Sequence, residues 1–81
     1  MIDNAKRKKI LNELCFDVGS QFHKARVSNN KNIIDVSEEL NRTIKTIDGI
    51  ESGKIKNLEV NFLSFLAAYY NKKIKIELID I

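Results

Sequence analysis

Cysteine, glycine and long apolar runs are scarce in this 81-residue sequence, which has one Cys, three Gly and neither Pro nor Trp. Because Cys15 is alone, the chain cannot form an internal disulfide, and a reducing cytoplasm suits it best. No segment approaches the ~20 apolar residues that a membrane span requires. Polar residues interrupt the apolar stretch after the basic cluster at residues 6–9, so we expect no secretory signal.

The usual signatures of catalysis and cofactor binding are also missing. The glycines at positions 19, 49 and 53 are scattered rather than grouped in a phosphate-binding loop. His23 has no Cys, His or acidic companion at ligand spacing, which argues against a metal site. We therefore predict no catalytic residues, no metal or other cofactor, and no enzyme activity.

The remaining composition is that of one small folded domain. The hydrophobic fraction is 43% and no tract is of low complexity, so a packed core is expected. The 14 basic residues exceed the 11 acidic ones and give a net charge of +3. Such a surplus suits an anionic partner, although small basic domains are common.

Residues 36–53 (VSEELNRTIKTIDGIESG) have the clearest pattern in the chain. Their apolar residues recur in steps of three or four, as on one buried helical face: Val36, Leu40, Ile44, Ile47 and Ile50. Residues 41–43 combine a turn residue with a hydroxyl that can cap a new helix, and Gly53 suits a left-handed helix end. The pattern predicts helices at about 33–40 and 44–52, joined as a helix-turn-helix.

Helical patterns also occur on both sides of this unit. Residues 3–15 and 17–28 are helical, either as one helix or as two with Asp17 as a cap, and Asn32 is expected to cap the following helix. A last helix is predicted at about 58–70, between an Asn57 cap and a left-handed Asn71. Its expected apolar stripe consists of Leu58, Phe62, Phe65, Leu66 and Tyr69.

The period changes to two in the tail, where Ile74, Ile76 and Leu78 alternate with charged residues. This alternation predicts a β-strand. No other segment is strand-like, so the simplest partner is the same strand of a second copy, in a homodimer. The alternative is a tail that folds onto its own core or is frayed.

Over residues 18–70 the sequence resembles the Cro/CI-like (XRE-family) helix-turn-helix proteins. The matching positions are Val18, Gly19, Phe22, Arg26, Val36, Leu40, Ile47, Ile50, Glu51, Gly53, Phe62, Phe65 and Leu66. The resemblance implies an all-α, five-helix lambda-repressor-like DNA-binding domain at residues 17–71, whose recognition helix is residues 44–52. Residues 1–16 would be an extra helical segment, and residues 72–81 a short dimerising strand.

The resemblance also assigns structural roles and shows departures. It implies a structural ion pair between Arg26 and Glu51, which would tie the first domain helix to the end of the recognition helix. Ser37 and Asn41 replace the family's usual Ala and Gly, and both substitutions keep the local physics. Arg42 replaces an apolar residue; either the turn is displaced and Ile44 supplies the packing, or Arg42 points outward at DNA.

By position in related complexes, two sets of residues are expected to contact DNA. The base-reading set is Thr43, Ile44, Lys45, Asp48 and Gly49. The backbone-contacting set is Asn32, Ile33, Arg42, Thr46, Lys54 and Lys56. Lys45 can donate to guanine, Ile44 can pack on a thymine methyl, and Asp48 can accept from cytosine. The alternative for each lysine is a solvated surface charge.

The expected function is that of a sequence-specific regulator of transcription, a repressor or autoregulator that binds double-stranded DNA as a homodimer. The alternative is an antitoxin or other protein-interaction module that neutralises a partner protein, because antitoxins built on this fold are similarly short. No membrane partner is expected, since the basic cluster at residues 6–9 is the only feature that suggests one.

Overall fold

The computed structural model describes residues 3–81 of the chain and contains four α-helices within that range. They are α1 (Asn4–Ser28), α2 (Ile33–Leu40), α3 (Ile44–Glu51) and α4 (Val60–Tyr69). Residues 3–81 include no β-strand, so the predicted architecture of five helices, an extra N-terminal segment and a strand is wrong. None of these helices combines the length and the apolar character of a membrane-spanning helix.

The first two helical patterns form the single helix α1, which runs through the predicted boundary between residues 16 and 17. Asp17 is therefore not a cap, and its carboxylate accepts a hydrogen bond from the Gln21 amide one turn later. Gly19 lies within α1 at the point where α3 approaches closely, which leaves no space for a side chain. A Cβ atom at Gly19 would lie 2.2 Å from the carbonyl oxygen of Ile50 and 2.7 Å from that of Glu51. This glycine thus permits a helix–helix contact and does not break the helix.

The helix-turn-helix agrees closely with the prediction. The Asn32 side chain caps α2 by accepting from the Asp35 N–H at 2.8 Å, and the Thr43 hydroxyl caps α3 in the same way. Between them, Asn41 has a left-handed backbone with φ 53°. The predicted bounds of both helices are confirmed to within a residue, because these side chain–backbone interactions are local.

The start and the buried face of α4 differ from the prediction. Residue Glu59, not Asn57, precedes the helix, and it makes no side-chain capping bond. Phe65, predicted to lie on the buried stripe, is 54% exposed. Leu66 of that stripe is buried as predicted, and Leu58, Phe62 and Tyr69 are partly buried against the core. The buried positions are 63, 66, 67 and 70, which follow the i, i+3, i+4, i+7 spacing of one helical face.

One hydrophobic core joins all four helices. Its buried members are Phe22, Val36, Leu40, Ile47, Ile50, Leu63, Leu66, Ala67 and Tyr70. α3 is central because it contacts both α1 and α2 and carries two of the most buried side chains, Ile47 and Ile50. One face of α3 is thereby fixed against the domain.

The C-terminal tail, residues 73–81, is not the predicted strand. Asn71, with φ 61°, ends the last helix in the left-handed region as predicted, and the following residues are exposed. Ile76 is 72% exposed and Leu78 97% exposed. Alternation alone does not form a strand here, because residues 3–72 provide no strand to pair with the tail's backbone groups.

The first part of α1, residues 4–14, forms an N-terminal arm that extends beyond the core. The helix has 25 residues and is therefore about 37 Å long, close to the molecule's largest dimension of 44 Å. No residue of the arm is buried, and Leu14 is 52% exposed. The basic cluster at residues 6–9 is exposed near its tip.

Candidate nucleic-acid interface

The two faces of α3 have opposite character. Ile47 and Ile50 point into the core with 0% and 3% of their surface exposed. Lys45 and Asp48 are exposed on the other side, and Ile44 is 45% exposed beside them. The exposed face therefore presents a cation, a carboxylate and an apolar side chain together, on a helix whose opposite face is fixed.

Thr43 and Thr46 are held together at the amino end of this face. The Thr43 hydroxyl oxygen accepts the Thr46 N–H at 3.1 Å and lies 3.0 Å from the Thr46 hydroxyl. Both residues were predicted to contact DNA, as a base reader and a backbone contact respectively. Thr43 is exposed and Thr46 is half-buried. The hydrogen bond from the Thr46 N–H to the Thr43 hydroxyl fixes the start of α3.

A shallow hollow of about 430 Å³ lies along α3 and the loop that follows it. It is lined by Lys45, Thr46, Asp48, Gly49, Lys54 and Ile55. Gly49 is buried, and a Cβ atom there would lie 2.7 Å from Ile55 Cδ1. A side chain at position 49 would therefore displace the end of the Ile55 side chain, a contact that the sequence did not indicate. Gly49 was expected on the groove-facing side, where it would let the DNA backbone come close without reading a base by itself. It lines the hollow, and that expectation stays a prediction.

The charged side chains that line the hollow form no ion pair with residues 3–81. Within residues 3–81, neither Lys45, Lys54 nor Asp48 forms an ion pair within 4.0 Å. Lys56 differs, because its ammonium donates to the Gly53 carbonyl, where the chain turns with φ 75°. Lys45 and Lys54 are thus available to an anionic ligand, whereas Lys56 also stabilises the loop.

Asn32 and Ile33 lie at the start of α2. The side-chain amide oxygen (Oδ1) of Asn32 accepts the Asp35 N–H, and the Ile33 side chain packs against the core. The Asn32 contact uses an acceptor oxygen only, so the cap occupies no hydrogen-bond donor of that side chain. The feature at this site that suits an anion is the helix amino end itself.

Arg26 and Glu51 form the bidentate pair that the resemblance implied. Arg26 Nε donates to Glu51 Oε2 at 2.8 Å and its terminal nitrogen donates to Oε1 at 3.0 Å. The hydrogen bond to Glu51 raises the pKa of Arg26, although burial opposes the charge. Arg26 also donates to the Lys31 carbonyl at 3.1 Å, and His23 Nδ1 lies 2.9 Å from Glu51. The sequence indicated neither of these last two contacts.

Tyr70 lies near this ion pair and is 2% exposed. Its hydroxyl makes no hydrogen bond with any residue in the described part of the chain. Burial, reinforced by the nearby Glu51 charge, raises the pKa of Tyr70 to about 12. The tyrosine acts as a core residue.

Two contacts involving α4 were not predicted. Arg42, in the turn before α3, lies with its guanidinium carbon 5.0 Å from the centre of the Phe62 ring. On the other side, the Tyr69 hydroxyl donates to Glu39, and Lys31 lies over the Tyr69 ring. The Tyr69 hydrogen bond lowers the pKa of Glu39. Both aromatic residues belong to the predicted apolar stripe, which gives no indication of their polar partners.

The comparisons with known proteins identify no relative. No protein-family model matches the chain, and neither the curated proteins nor the solved structures include a significant match. Within residues 3–81, no group of three or more His, Cys, Asp or Glu side chains is placed to hold a metal ion.

Proposed function

We propose that the protein is a sequence-specific DNA-binding regulator of transcription that inserts α3 into the major groove. The observation that supports this most is the exposed face of α3, where Lys45, Asp48 and Ile44 lie side by side on a fixed helix. These three side chains supply a donor, an acceptor and an apolar contact, the groups that distinguish base edges in the major groove.

The frame behind α3 suits this role. The caps at Thr43 and Asn32, the turn at Asn41 and the Arg26–Glu51 pair fix the helix relative to the domain. A rigid element positions base-contacting groups more accurately than a loop would. Lys54 lies beside the same hollow, where an ammonium can contact a phosphate.

The proposed DNA-binding form is a homodimer in the cytoplasm, acting as a repressor or autoregulator. Two copies would place their α3 helices about 34 Å apart and read an inverted repeat. The exposed apolar tail is the candidate dimerisation element, without the strand pairing that the sequence suggested. Light scattering on the intact chain and on a chain lacking residues 74–81 tests this, and an unchanged dimer mass refutes the tail's role.

The test of DNA binding is a titration against the DNA upstream of the protein's own gene and against random DNA, at two salt concentrations. Preferential binding that weakens as salt rises is expected. Lys45→Ala should weaken specific binding by about 1–3 kcal/mol if Lys45 contacts a base. Lys24→Ala, on an exposed position of α1, is the matched control and should change binding little. Equal weak binding to both DNAs contradicts the proposal.

A second candidate function is neutralisation of a partner protein, as an antitoxin does. The exposed apolar side chains of the tail support it, because Leu78 is 97% exposed and Ile81 89% exposed. Co-expression with the product of the neighbouring gene, followed by size-exclusion chromatography with the intact and tail-deleted chains, tests it. Separate elution of the two proteins contradicts this function.

A further inference from the structure

We propose that Phe62 is a positioning residue for Arg42, and that the two form a binding site for a DNA backbone phosphate at the amino end of α3. The inference rests on the proposed DNA-binding function. Arg42 lies in the turn and Phe62 on α4, apart from the exposed face of α3 that supports the proposed function.

The backbone at Arg42 is fixed by the turn. The Asn41 N–H donates to the Glu38 carbonyl at 3.2 Å, and the Arg42 N–H donates to the Ser37 carbonyl at 2.9 Å. Asn41, just before Arg42, is left-handed, and Thr43, just after it, caps α3. The base of the Arg42 side chain therefore has a defined position relative to the first turn of α3.

The side chain is fixed by an aromatic ring. Its guanidinium carbon lies 5.0 Å from the centre of the Phe62 ring, within the range of a cation–π interaction. Phe62 belongs to α4, is half-buried and packs against the core, so it is a firm platform. A long, exposed arginine thus loses conformational freedom before any ligand arrives.

The Arg42 guanidinium nevertheless has no polar partner among residues 3–81. Arg42 is exposed and, among residues 3–81, its side chain makes no hydrogen bond and no ion pair within 4.0 Å. Glu59 lines the same open groove of about 490 Å³ but does not pair with it. All the N–H donors of Arg42 are therefore free, in the planar arrangement that matches two phosphate oxygens.

The location favours a phosphate over a base. Arg42 precedes α3, so it lies at the end of the recognition helix and not on its base-facing side. The amino end of α3 carries the positive end of the helix dipole and favours the same anion. Arginine contacts to the backbone fix the register of a protein on DNA without reading sequence.

A double-mutant cycle tests the inference in the intact chain. Affinity for the specific DNA fragment is measured at several salt concentrations for the wild type, Arg42→Ala, Phe62→Leu and the double variant. Phe62→Tyr, which keeps the ring, is the matched control. Phe62→Met replaces Phe62→Leu if the leucine variant melts below the assay temperature, and thermal unfolding of each variant is measured in parallel.

Arg42→Ala should weaken specific and random DNA binding alike and reduce the slope of log affinity against log salt by about 0.9 per protomer. Phe62→Leu should weaken binding by about two- to fivefold per protomer, the size of an exposed cation–π interaction. Phe62→Tyr should bind like the wild type. In the Arg42→Ala background, Phe62→Leu should have no further effect.

An unchanged salt slope in Arg42→Ala overturns the phosphate site. Equal effects of Phe62→Leu with and without Arg42 overturn the positioning role, because the loss is then structural. If the wild type shows no preference for the fragment, the proposed function itself fails. Preference without an Arg42 effect refutes this inference alone.

Discussion

The two halves of α1 belong to one continuous helix but have different surroundings. In the second half, residues 15–28, Cys15, Gly19 and Phe22 are buried against the domain. In the N-terminal arm, residues 4–14, every side chain is partly or wholly exposed. The helix is continuous along α1, whereas its buried residues, including Gly19 against α3, all lie in the second half.

The largest effect is expected at Gly19, where a substitution would break the contact between α1 and α3. Gly19→Ala places a methyl group against the carbonyl oxygens of Ile50 and Glu51, so it should cost about 3 kcal/mol or more of unfolding free energy. Asn12→Ala in the arm is the control and should be neutral or slightly stabilising. Urea denaturation measures both, and a loss below about 1 kcal/mol at Gly19 would contradict the close approach.

A smaller but still large effect is expected at Glu51. Glu51→Gln leaves the Arg26 guanidinium, whose side chain is only 15% exposed, without a carboxylate. We expect a loss of about 2 kcal/mol in unfolding free energy, because a largely buried charge loses its carboxylate while the glutamine oxygen still accepts one hydrogen bond. Glu38→Gln, at an exposed position of α2, is the control. Equal stabilities of the two variants would show that the pair contributes little.

The buried Tyr70 hydroxyl provides a pH-dependent test of core packing near the Arg26–Glu51 pair. Its folded pKa of about 12 lies above the ordinary value of 10.0. The folded state therefore disfavours the phenolate, and unfolding free energy should fall as pH rises from about 10 to about 12. Tyr70→Phe should reduce this fall and should change stability at pH 8 by less than about 1 kcal/mol, since the hydroxyl has no partner. Denaturant titrations at pH 8, 10 and 11 measure it, and an unchanged pH profile would contradict the burial.

The smallest effect is expected in the arm. Leu14→Gln should alter unfolding free energy by about 0.5 kcal/mol or less, because Leu14 is 52% exposed and lies outside the core. Thermal unfolding at two protein concentrations measures the change. A larger, concentration-dependent loss would show that this side of the arm is covered by a second copy in solution.

Local chemistry explains what the sequence could predict. Asn32, Asn41 and Thr43 act on backbone groups within a few residues, so their roles follow from residue type and spacing. The bounds of α2 and α3 could be predicted for the same reason. The charged positions of the exposed face, Lys45 and Asp48, also follow from the helical period alone.

The features that the sequence could not predict depend on contacts between residues that are far apart in the sequence. At Gly19 the backbone of α3 crosses too closely for a side chain, and at Gly49 the Ile55 side chain occupies the space of a Cβ atom. The contact between Arg42 and the Phe62 ring exists because the fold brings α4 close to the turn before α3. For the tail, alternation predicted a strand, but strand pairing requires a partner that the described chain does not contain.

Arg26 has a consequence for the thermodynamics of any ligand that binds α3. Its guanidinium contacts the Lys31 carbonyl just before α2 and the Glu51 carboxylate at the last residue of α3. Both ends of the helix-turn-helix therefore meet on a single side chain of α1, and the unit is a closed loop. A ligand at α3 orders few backbone torsions, so the loss of conformational entropy on binding is small and the contacts formed contribute more fully to affinity.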